Sequence, residues 1–207
     1  AYKVGKVLAD ESKENGISIN LGPGGNLHRN ILCGRHPEYY SEDPILTGTL
    51  MAYQARGLEE NGVIATYKHL IANNMEFERK SAHGIIDENT LRDLYLRVFD
   101  KAFSLYKPGC VMTSYNPVNG IYPCENSALL NNLLRGEWGF DGFVMTDWGS
   151  YDTADSIRSV CAGTNLLTPG SKKHFRMILK AVKRNEISKA ALQHSVKQIV
   201  KVLVRCI

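Results

Sequence analysis

Short apolar runs alternate with longer amphipathic stretches along the whole chain, and this alternation constrains the fold more than any other feature of the sequence. The runs are rich in strand formers, whereas the stretches between them have helical spacing. Strands that alternate with helices form βαβ units with a parallel sheet, so an α/β fold is predicted. The predicted strands are Ile17–Leu21, Val63–Tyr67, Cys110–Thr113, Phe143–Met145 and a strand with its turn in residues 163–170.

The number of strands indicates the kind of α/β fold. A (β/α)8 barrel of the TIM type needs eight strands, and the sequence predicts five. We therefore expect residues 1–207 to form one domain, a partial TIM-type barrel that lacks the first strands of the complete barrel.

Capping residues predict where several helices begin. Ser41 is expected to cap a helix with Pro44 in its first turn, because serine can accept from free backbone N–H groups and proline needs no partner there. Asp87 and Ser188 are expected to begin two further helices. The apolar faces are expected to contain Leu46, Leu50, Tyr53 and Gly57 in the first helix, and Leu192, Val196, Ile199 and Leu203 in the last.

Composition argues against several classes of function. Hydrophobic residues make up 43% of the chain and charged residues 22%, which is ordinary for a globular protein. The net charge of +4 is too small to argue for nucleic acid, and the basic stretch 172–184 is more simply a solvated helix face. No apolar run is long enough to cross a membrane, and the first residues lack the apolar segment of a signal peptide, so a cytoplasmic location is expected. The five cysteines form no Cys-x-x-Cys pair, so zinc is not expected. The glycines of residues 22–25 lack the spacing of a dinucleotide fingerprint, so no cofactor is expected either.

Polar residues stand at the ends of predicted strands, namely Asn20, Lys68 with His69, Tyr115 and Asp147. In barrels the carboxyl ends of the strands carry the chemistry, so a carboxylate there is interpreted as a reacting group. Asp147 is followed at once by Trp148, and a carboxylate beside a flat aromatic ring suits a sugar, whose face can stack on that ring. The alternative is that Asp147 only caps the next helix while Trp148 belongs to the core.

Residues 143–149, Phe-Val-Met-Thr-Asp-Trp-Gly, resemble the nucleophile segment of glycoside hydrolase family 3, the family of many β-glucosidases. Four further segments resemble family segments in the same order. They are Cys33–Arg35 with Tyr39–Pro44, Lys68–Asn74 with Glu76 and Arg79, Met112–Asn116, and residues 162–170. The resemblance covers nearly the whole chain, and five segments in one order are far more specific than any single one.

The resemblance implies a role for each matching residue. Asp147 would be the nucleophile of a retaining hydrolase that releases terminal β-D-glucose through a covalent glycosyl-enzyme. The residues that would hold the sugar hydroxyls are Arg35, Lys68, His69 and Arg79. Tyr115 would stand beside the nucleophile, and Met112 and Trp148 would form walls. The cationic side chains are donors, which suits hydroxyl oxygens as acceptors.

Structural alternatives to these binding roles stay open. The two arginines could instead form salt bridges with acidic neighbours, for which the candidates are Glu42, Glu76 and Glu78. His69 could be a core histidine whose two ring nitrogens are satisfied by protein groups.

A retaining glycosidase also needs a second carboxyl group as acid/base, about 5–5.5 Å from the nucleophile. The carboxylates near the motifs are Glu76, Glu78, Asp152 and Asp155, and none matches a family acid, which the resemblance places in a second domain or a long loop. We therefore expect a β-glucoside or oligosaccharide as substrate, and a missing domain or second chain that supplies the acid/base. An inactive carbohydrate-binding barrel fragment is the alternative. Residues 72–74 lack the Gly-His-Gly of the family branch that acts on N-acetylglucosaminides, so that branch is disfavoured.

Overall fold

The computed structural model describes residues 1–206, which form an open α/β sheet. Four parallel strands lie side by side in chain order: β1 (Ile19–Asn20), β2 (Ile64–Leu70), β3 (Cys110–Thr113) and β4 (Phe143–Met145). Each pair of neighbouring strands is joined by a connection that contains helix. This topology, with parallel strands added one after another, is that of a partial TIM-type barrel, as the sequence predicts.

Helices precede, connect and follow the strands. Before β2 lie α1 (Tyr2–Glu14) and α2 (Pro44–Glu59). Between β2 and β3 lie α3 (Glu88–Thr90), a π-helical segment (Leu91–Leu96) and α4 (Arg97–Leu105). A second π-helical segment (Ala128–Glu137) precedes β4, and α5 (Ser156–Ala162), α6 (Lys172–Lys183) and α7 (Lys189–Leu203) follow it. None of the helices in residues 1–206 has the length and apolar character needed to span a membrane.

The strand boundaries agree with the sequence for β3 and β4 and differ elsewhere. The prediction that Lys68 and His69 follow their strand was wrong, because both lie within β2. Backbone pairing continues through Lys68, whose N–H donates to Pro23 O at 3.2 Å and whose carbonyl accepts from Gly25 N at 2.6 Å. The strand expected in residues 163–170 is reduced to one parallel bridge between Leu166 and Met145.

The helix α2 begins and packs differently from the prediction. Asp43 caps it, accepting from Ile45 N and Leu46 N, and Pro44 occupies the first turn. Leu46 and Tyr53 are exposed whereas Gly57 is buried, so the predicted apolar face was wrong in part. The buried residues of α2 are Thr47, Gly48, Met51, Ala52, Ala55, Gly57 and Leu58.

Small residues form this buried face because α2 approaches its neighbours closely. A Cβ atom on Gly57 would lie 2.2 Å from the carbonyl oxygen of Tyr2 in α1. On the other side, a Cβ atom on Gly48 would lie 2.4 Å from the carbonyl oxygen of Val98 in α4. Both distances are shorter than any side chain allows, so only glycine permits the packing of α1 and α4 on α2.

The predicted apolar face of α7 was also wrong in part. Val196 and Leu203 are 51% and 42% exposed, whereas Ser195 and Val202 are buried. Ser195 is buried because its hydroxyl accepts from Asn165 Nδ2 at 3.1 Å, which binds α7 to the loop after β4. The inward face of this helix therefore combines the polar contact of Ser195 with the apolar contacts of Ile199 and Val202.

The two faces of the sheet belong to different apolar clusters. Tyr67, Val111 and Val144 belong to the main core with side chains of α2 and α4. The alternate residues of the strands form a smaller cluster with α7, made of Ile64, Cys110, Met112, Phe143, Met145 and Val202. Strand residues are thus buried on both faces, as is usual for parallel sheets, and their carboxyl ends carry the polar residues described next.

Candidate active site

Asp147 lies two residues beyond the end of β4 and is only 6% exposed. Its Oδ1 atom accepts a hydrogen bond of 2.6 Å from the backbone N–H of Trp148, which fixes the carboxylate. Its Oδ2 atom is buried and has no hydrogen-bond partner within the described part of the chain. One oxygen is therefore held by the backbone while the other keeps its lone pairs unengaged.

The alternative that Asp147 caps a helix is not found. The short helical turn that follows, Ser150–Asp152, begins at Gly149 and has no side-chain cap. Trp148 is 57% exposed and so does not belong to the core. Gly149 has a φ of 77°, a left-handed conformation that glycine adopts easily and that turns the chain away immediately after Trp148.

Arg35 places its guanidinium beside Asp147. Its Nη1 atom lies 3.8 Å from Asp147 Oδ2 and, among residues 1–206, has no hydrogen-bond partner. Nε donates to Glu38, and Nη2 lies 2.8 Å from Nε2 of His69. The cation and the anion face each other across a gap that is too wide for a direct hydrogen bond.

The ring of His69 is oriented by Asn26. The amide of Asn26 donates from Nδ2 to the carbonyl of His69 at 2.9 Å and accepts the backbone N–H of His69 at Oδ1 at 3.0 Å. These two bonds identify Oδ1 as the oxygen, and Oδ1 also lies 3.1 Å from Nδ1 of the ring. Nδ1 therefore carries the proton, and Nε2 accepts from Arg35.

His69 is neutral in this arrangement. Burial first, and then the positive charges of Arg35 and Lys68, lower the pKa of His69 well below its ordinary value. Nε2 lies 3.5 Å from Asp147 Oδ2, but with the proton on Nδ1 it has no hydrogen to donate to that carboxylate. Both ring nitrogens have protein partners, as the alternative interpretation of a satisfied core histidine expects.

Lys68 and Arg35 share the carboxylate of Glu38. Lys68 Nζ lies 3.0 Å from Glu38 Oε2, while Arg35 binds the other oxygen. Burial alone would raise the pKa of Glu38, but the hydrogen bond from Arg35 and the charge of Lys68 outweigh it and lower that pKa. An ionised Glu38 thus lies between two cations near the strand ends.

Arg79 reaches the site from the loop after β2. Its Nη1 atom donates to Glu76 Oε2 at 2.8 Å, which realises one of the salt bridges considered as an alternative. Its guanidinium carbon also stands 4.5 Å from the centre of the Tyr115 ring, within the range of a cation–π contact. Glu76 Oε1 lies 3.8 Å from Nε of Arg35, so Glu76 stands between the two arginines.

Tyr115 holds the segment that follows Asp147. Its hydroxyl donates to the carbonyl oxygen of Trp148 at 2.7 Å. Burial, followed by the nearby charge of Asp147, raises the pKa of Tyr115 to about 12, so the hydroxyl is protonated and can donate. Trp148 is thereby fixed at its backbone while its indole faces solvent.

Met112 lies in a different environment from the other predicted site residues. It is 3% exposed and belongs to the smaller apolar cluster, opposite Met145 in the register of β3 and β4. Its surroundings in residues 1–206 are therefore apolar core, one layer below the polar strand ends.

The predicted acid/base candidates are mostly engaged elsewhere. Glu76 binds Arg79, Asp152 binds Lys80 at 2.8 Å, and Asp155 caps α5. Glu78 is exposed. None of these four carboxylates is therefore identified as the acid/base partner of Asp147.

A family model described as the glycosyl hydrolase family 3 N-terminal domain matches residues 1–202 of this chain. The chain belongs to glycosyl hydrolase family 3. Its thermostable β-glucosidase B relative from Acetivibrio thermocellus is 41% identical over 97% of the chain and 26% of the relative. The probable β-glucosidase J of Emericella nidulans is 38% identical over 98% of the chain and 24% of the relative. The chain thus spans about a quarter of the length of these curated family 3 relatives.

Solved structures of similar proteins agree with this assignment. The structure of β-glucosidase 3B from Thermotoga neapolitana in complex with glucose matches with a TM-score of 0.94 and 40% identity, covering 99% of this chain and 29% of that one. The family 3 β-glucosidase of Bifidobacterium adolescentis matches with a TM-score of 0.94 and 35% identity, covering 99% and 30%. The partial barrel of this family 3 chain therefore closely resembles part of those larger proteins.

Sequence reasoning missed several residues that build the family 3 site. Glu38 lies three residues after Arg35, a spacing that could have indicated their ion pair. Asn26 and Tyr39 contact His69 from the loop between β1 and α2. Tyr39 lies in the Tyr39–Pro44 segment of the resemblance but was given no role there. No local pattern predicts either contact with His69, because the contacts join residues more than 25 positions apart in the chain.

Two clefts border the site, and Asp147 lines neither of them. One, of about 360 Å³, lies beside Lys68 and Glu38. The other, of about 320 Å³, is lined by Arg79 together with Asn74 and Asn116. The convergence of charged and polar groups on Asp147, rather than the size of a cavity, locates the candidate site of this family 3 domain.

Proposed function

We propose that the protein of which this chain is part is a β-glucosidase that retains the anomeric configuration and forms a covalent glycosyl-enzyme on Asp147. The relatives and the structural neighbours are named β-glucosidases, and the Thermotoga neapolitana structure is among those in complex with glucose. Because the chain spans about a quarter of those relatives, the activity belongs to the complete protein rather than to these 207 residues.

The observation that carries this proposal is the pair of unengaged atoms at the end of β4. Asp147 Oδ2 and Arg35 Nη1 face each other at 3.8 Å, and neither has a hydrogen-bond partner among residues 1–206. A carboxylate in a purely structural ion pair would be expected to engage its arginine directly. Here the free oxygen can act as nucleophile, and the free guanidinium N–H can bind a sugar hydroxyl.

The proposed reaction needs two displacements at the anomeric carbon. Asp147 Oδ2 donates an electron pair to this carbon, and the glycosidic C–O bond breaks as the leaving oxygen takes a proton from a general acid. Water then attacks the same carbon, the glycosyl–Asp147 bond breaks, and the acid/base group takes the proton of the water. Two inversions give net retention.

The surrounding cations would bind the sugar. Lys68 and Arg79 have N–H donors near the strand end, and Arg35 has a free Nη1. In this geometry Nε2 of His69 holds Arg35, so His69 would contribute to sugar binding by orienting that guanidinium or by exchanging its partner. Trp148 and Tyr115 would form the walls of the subsite, and Met112 would support it from the layer below.

The general acid/base would come from outside this chain. The nearby carboxylates Glu76, Asp152 and Asp155 are already bonded to Arg79, to Lys80 and to the N-terminus of α5. The remaining part of the polypeptide, or a second chain, would supply the group. The substrate would be a β-glucoside or an oligosaccharide with a terminal glucose.

The test is the Asp147→Asn variant of the full-length protein, which keeps the shape of the side chain and removes its charge. Hydrolysis of nitrophenyl β-glucoside should be nearly abolished while the thermal unfolding temperature stays close to that of wild type. Asp141→Asn is the matched control, because Asp141 is exposed and pairs with Lys201 on the surface. Normal turnover by Asp147→Asn would refute the proposal.

The second candidate function is sugar binding without hydrolysis, and the engagement of Glu76, Asp152 and Asp155 favours it. Without a general acid the rate should fall by about 10²–10⁴. The loss should be largest for cellobiose, whose leaving group needs a proton, and smallest for nitrophenyl glucoside. If the full-length protein binds glucose but hydrolyses neither compound, this candidate replaces the first.

A further inference from the structure

A second cleft, which Arg79 lines and Asp147 does not, lies near the candidate active site. It has a volume of about 320 Å³ and is lined by the loops after β1, β2 and β3 and by the π-helical segment Leu91–Leu96. Small-molecule pockets span about 300–1,000 Å³, so this cleft has the size for one ring. The proposed reaction uses none of its residues except Arg79.

Two buried amide oxygens of the cleft lack hydrogen-bond donors. Asn116 is 8% exposed, and its Oδ1 atom has no partner in the described part of the chain. Oδ1 of Asn74 is equally without a partner there. The amide of Asn74 is oriented by its Nδ2 atom, which donates to the carbonyl of Leu27, so the free atom is an acceptor. Buried acceptors without donors are uncommon in folded proteins and call for a ligand or ordered water.

Two arginines provide hydrogen-bond donors and positive charge in the same cleft. Arg79 lines the cleft while one of its nitrogens binds Glu76. Arg29 is an exposed residue at the rim. Tyr95 and Ile86 form an apolar wall, and both pack against the main core, which holds them in place.

This combination selects the chemistry of the ligand. A carboxylate or phosphate only accepts hydrogen bonds, so it cannot donate to the amide oxygens. An ammonium group only donates, so it cannot accept from the arginines and would be repelled by their charge. A hydroxyl both donates and accepts, so a polyhydroxylated ring can satisfy the asparagines and the arginines together. The apolar wall suits the C–H face of such a ring.

We propose that this cleft is a second sugar site, which binds one hexose ring separately from the site around Asp147. The inference rests on the proposed function only for its choice of glucose as the probe. Its residues Arg29, Asn74, Tyr95 and Asn116 were given no role by the motifs or by the candidate mechanism.

The experiment is a glucose titration of the full-length protein, followed by saturation-transfer NMR. Two binding events are expected. Lys68→Ala should weaken the event at Asp147, whereas Arg29→Gln should weaken only the other event, by about two- to tenfold for a lost hydrogen bond. Asn116→Ala should act like Arg29→Gln. Arg158→Gln, a change of an exposed arginine on α5, is the matched control and should change neither event.

A single glucose event abolished by Lys68→Ala would overturn the second site, including the case in which water or another part of the protein fills the cleft. Two events that Arg29→Gln and Asn116→Ala leave unchanged would also overturn it. Since Arg29 is exposed, its variant remains decisive if Asn116→Ala fails to fold. Loss of hydrolysis tests only the proposed function, so the second site stands or falls independently by this titration.

Discussion

The guanidinium of Arg35 donates from Nη2 to Nε2 of His69 across 2.8 Å, and this bond requires a neutral histidine. Asn26 imposes the same state from the other side of the ring, because its Oδ1 atom can only accept from Nδ1. One buried imidazole thus connects a rigid backbone clamp to the arginine that faces Asp147.

We expect His69 to stay neutral when the pH falls through its ordinary titration range. Its pKa is lowered in the folded state, so between that value and the unfolded pKa of about 6.5 the unfolded chain binds more protons. The contribution of His69 to the free energy of unfolding should therefore be complete above about pH 6.5. It should decrease as the pH falls, by up to about 1.4 kcal/mol per pH unit. Thermal unfolding of wild type and His69→Gln between pH 7.5 and 5.5 checks this.

The variant should lose less stability on acidification than wild type. A ¹⁵N spectrum of the imidazole gives an independent check, with the proton expected on Nδ1. Protonation of His69 near pH 6.5, or the proton on Nε2, would contradict the account.

Lys68→Ala should reduce kcat/KM for β-glucosides at least about tenfold, because a hydrogen bond to a charged group is worth about 1.5–3 kcal/mol. Glu38 would keep its bond to Arg35, so the rest of the cluster should survive. Steady-state kinetics of the full-length protein with glucoside and galactoside measure the loss and the preference for glucose. Lys180→Ala, on the exposed side of α6, is the control. Equal rates for Lys68→Ala and wild type would remove Lys68 from the binding site.

The strands that carry this site were largely predictable, and the partners of their residues were not. β3 and β4 have the predicted bounds, because each is a compact apolar run between a glycine and polar residues. The position of Asp147 beyond β4 follows from the same local pattern. By contrast, the bonds of Asn26 to His69 and of Lys80 to Asp152 join residues that are distant in sequence. The hydrophobic periodicity of the sequence does not predict such contacts.

The prediction of buried helix faces was wrong where close approach of the helices, rather than hydrophobicity, decides the packing. Of the predicted face of α2, Gly57 is buried but Leu46 and Tyr53 are exposed, because Gly57 and Gly48 allow α1 and α4 to reach the α2 backbone from two sides. The sequence contains these glycines, yet their significance depends on α1 and α4 being there to fill the space.

Lys80 is expected to position the segment after Asp147. Its Nζ atom lies 3.1 Å from the carbonyl oxygen of Gly149 and 2.8 Å from Oδ2 of Asp152. Lys80→Met in the full-length protein should lower kcat/KM several-fold and change the fluorescence of Trp148, measured as the difference between proteins with and without the Trp148→Phe change. Because the ion pair is partly exposed, thermal stability should change little.

Two comparisons separate the contacts of Lys80. Asp152→Asn removes only the ion pair and should leave activity near wild type, whereas Lys80→Arg keeps the positive charge and should restore part of the rate. If Lys80→Met alters neither Trp148 fluorescence nor kinetics, the segment is positioned by Tyr115 and the backbone alone.

The 207 residues expressed alone should associate in solution. β1 contributes only two residues to the edge of the sheet, and unpaired sheet edges and apolar patches promote association. The exposed apolar side chains of α1, α6 and α7 include Val4, Val7, Phe175, Leu179, Val196, Val200 and Leu203. Light scattering after gel filtration should show species larger than a monomer, fewer of them when Val4 and Val7 are changed to lysine. A monodisperse monomer would contradict the prediction that the open barrel causes association.

Covalent trapping tests the central claim most directly. A 2-deoxy-2-fluoroglucoside with a good leaving group should inactivate the full-length protein and remain attached to the nucleophile, because the fluorine slows hydrolysis of the glycosyl-enzyme. Peptide mass mapping should then locate the added sugar on Asp147. A label on any other carboxylate, such as Glu76, or rapid turnover without a trapped sugar on Asp147, would contradict the assignment of this residue as nucleophile.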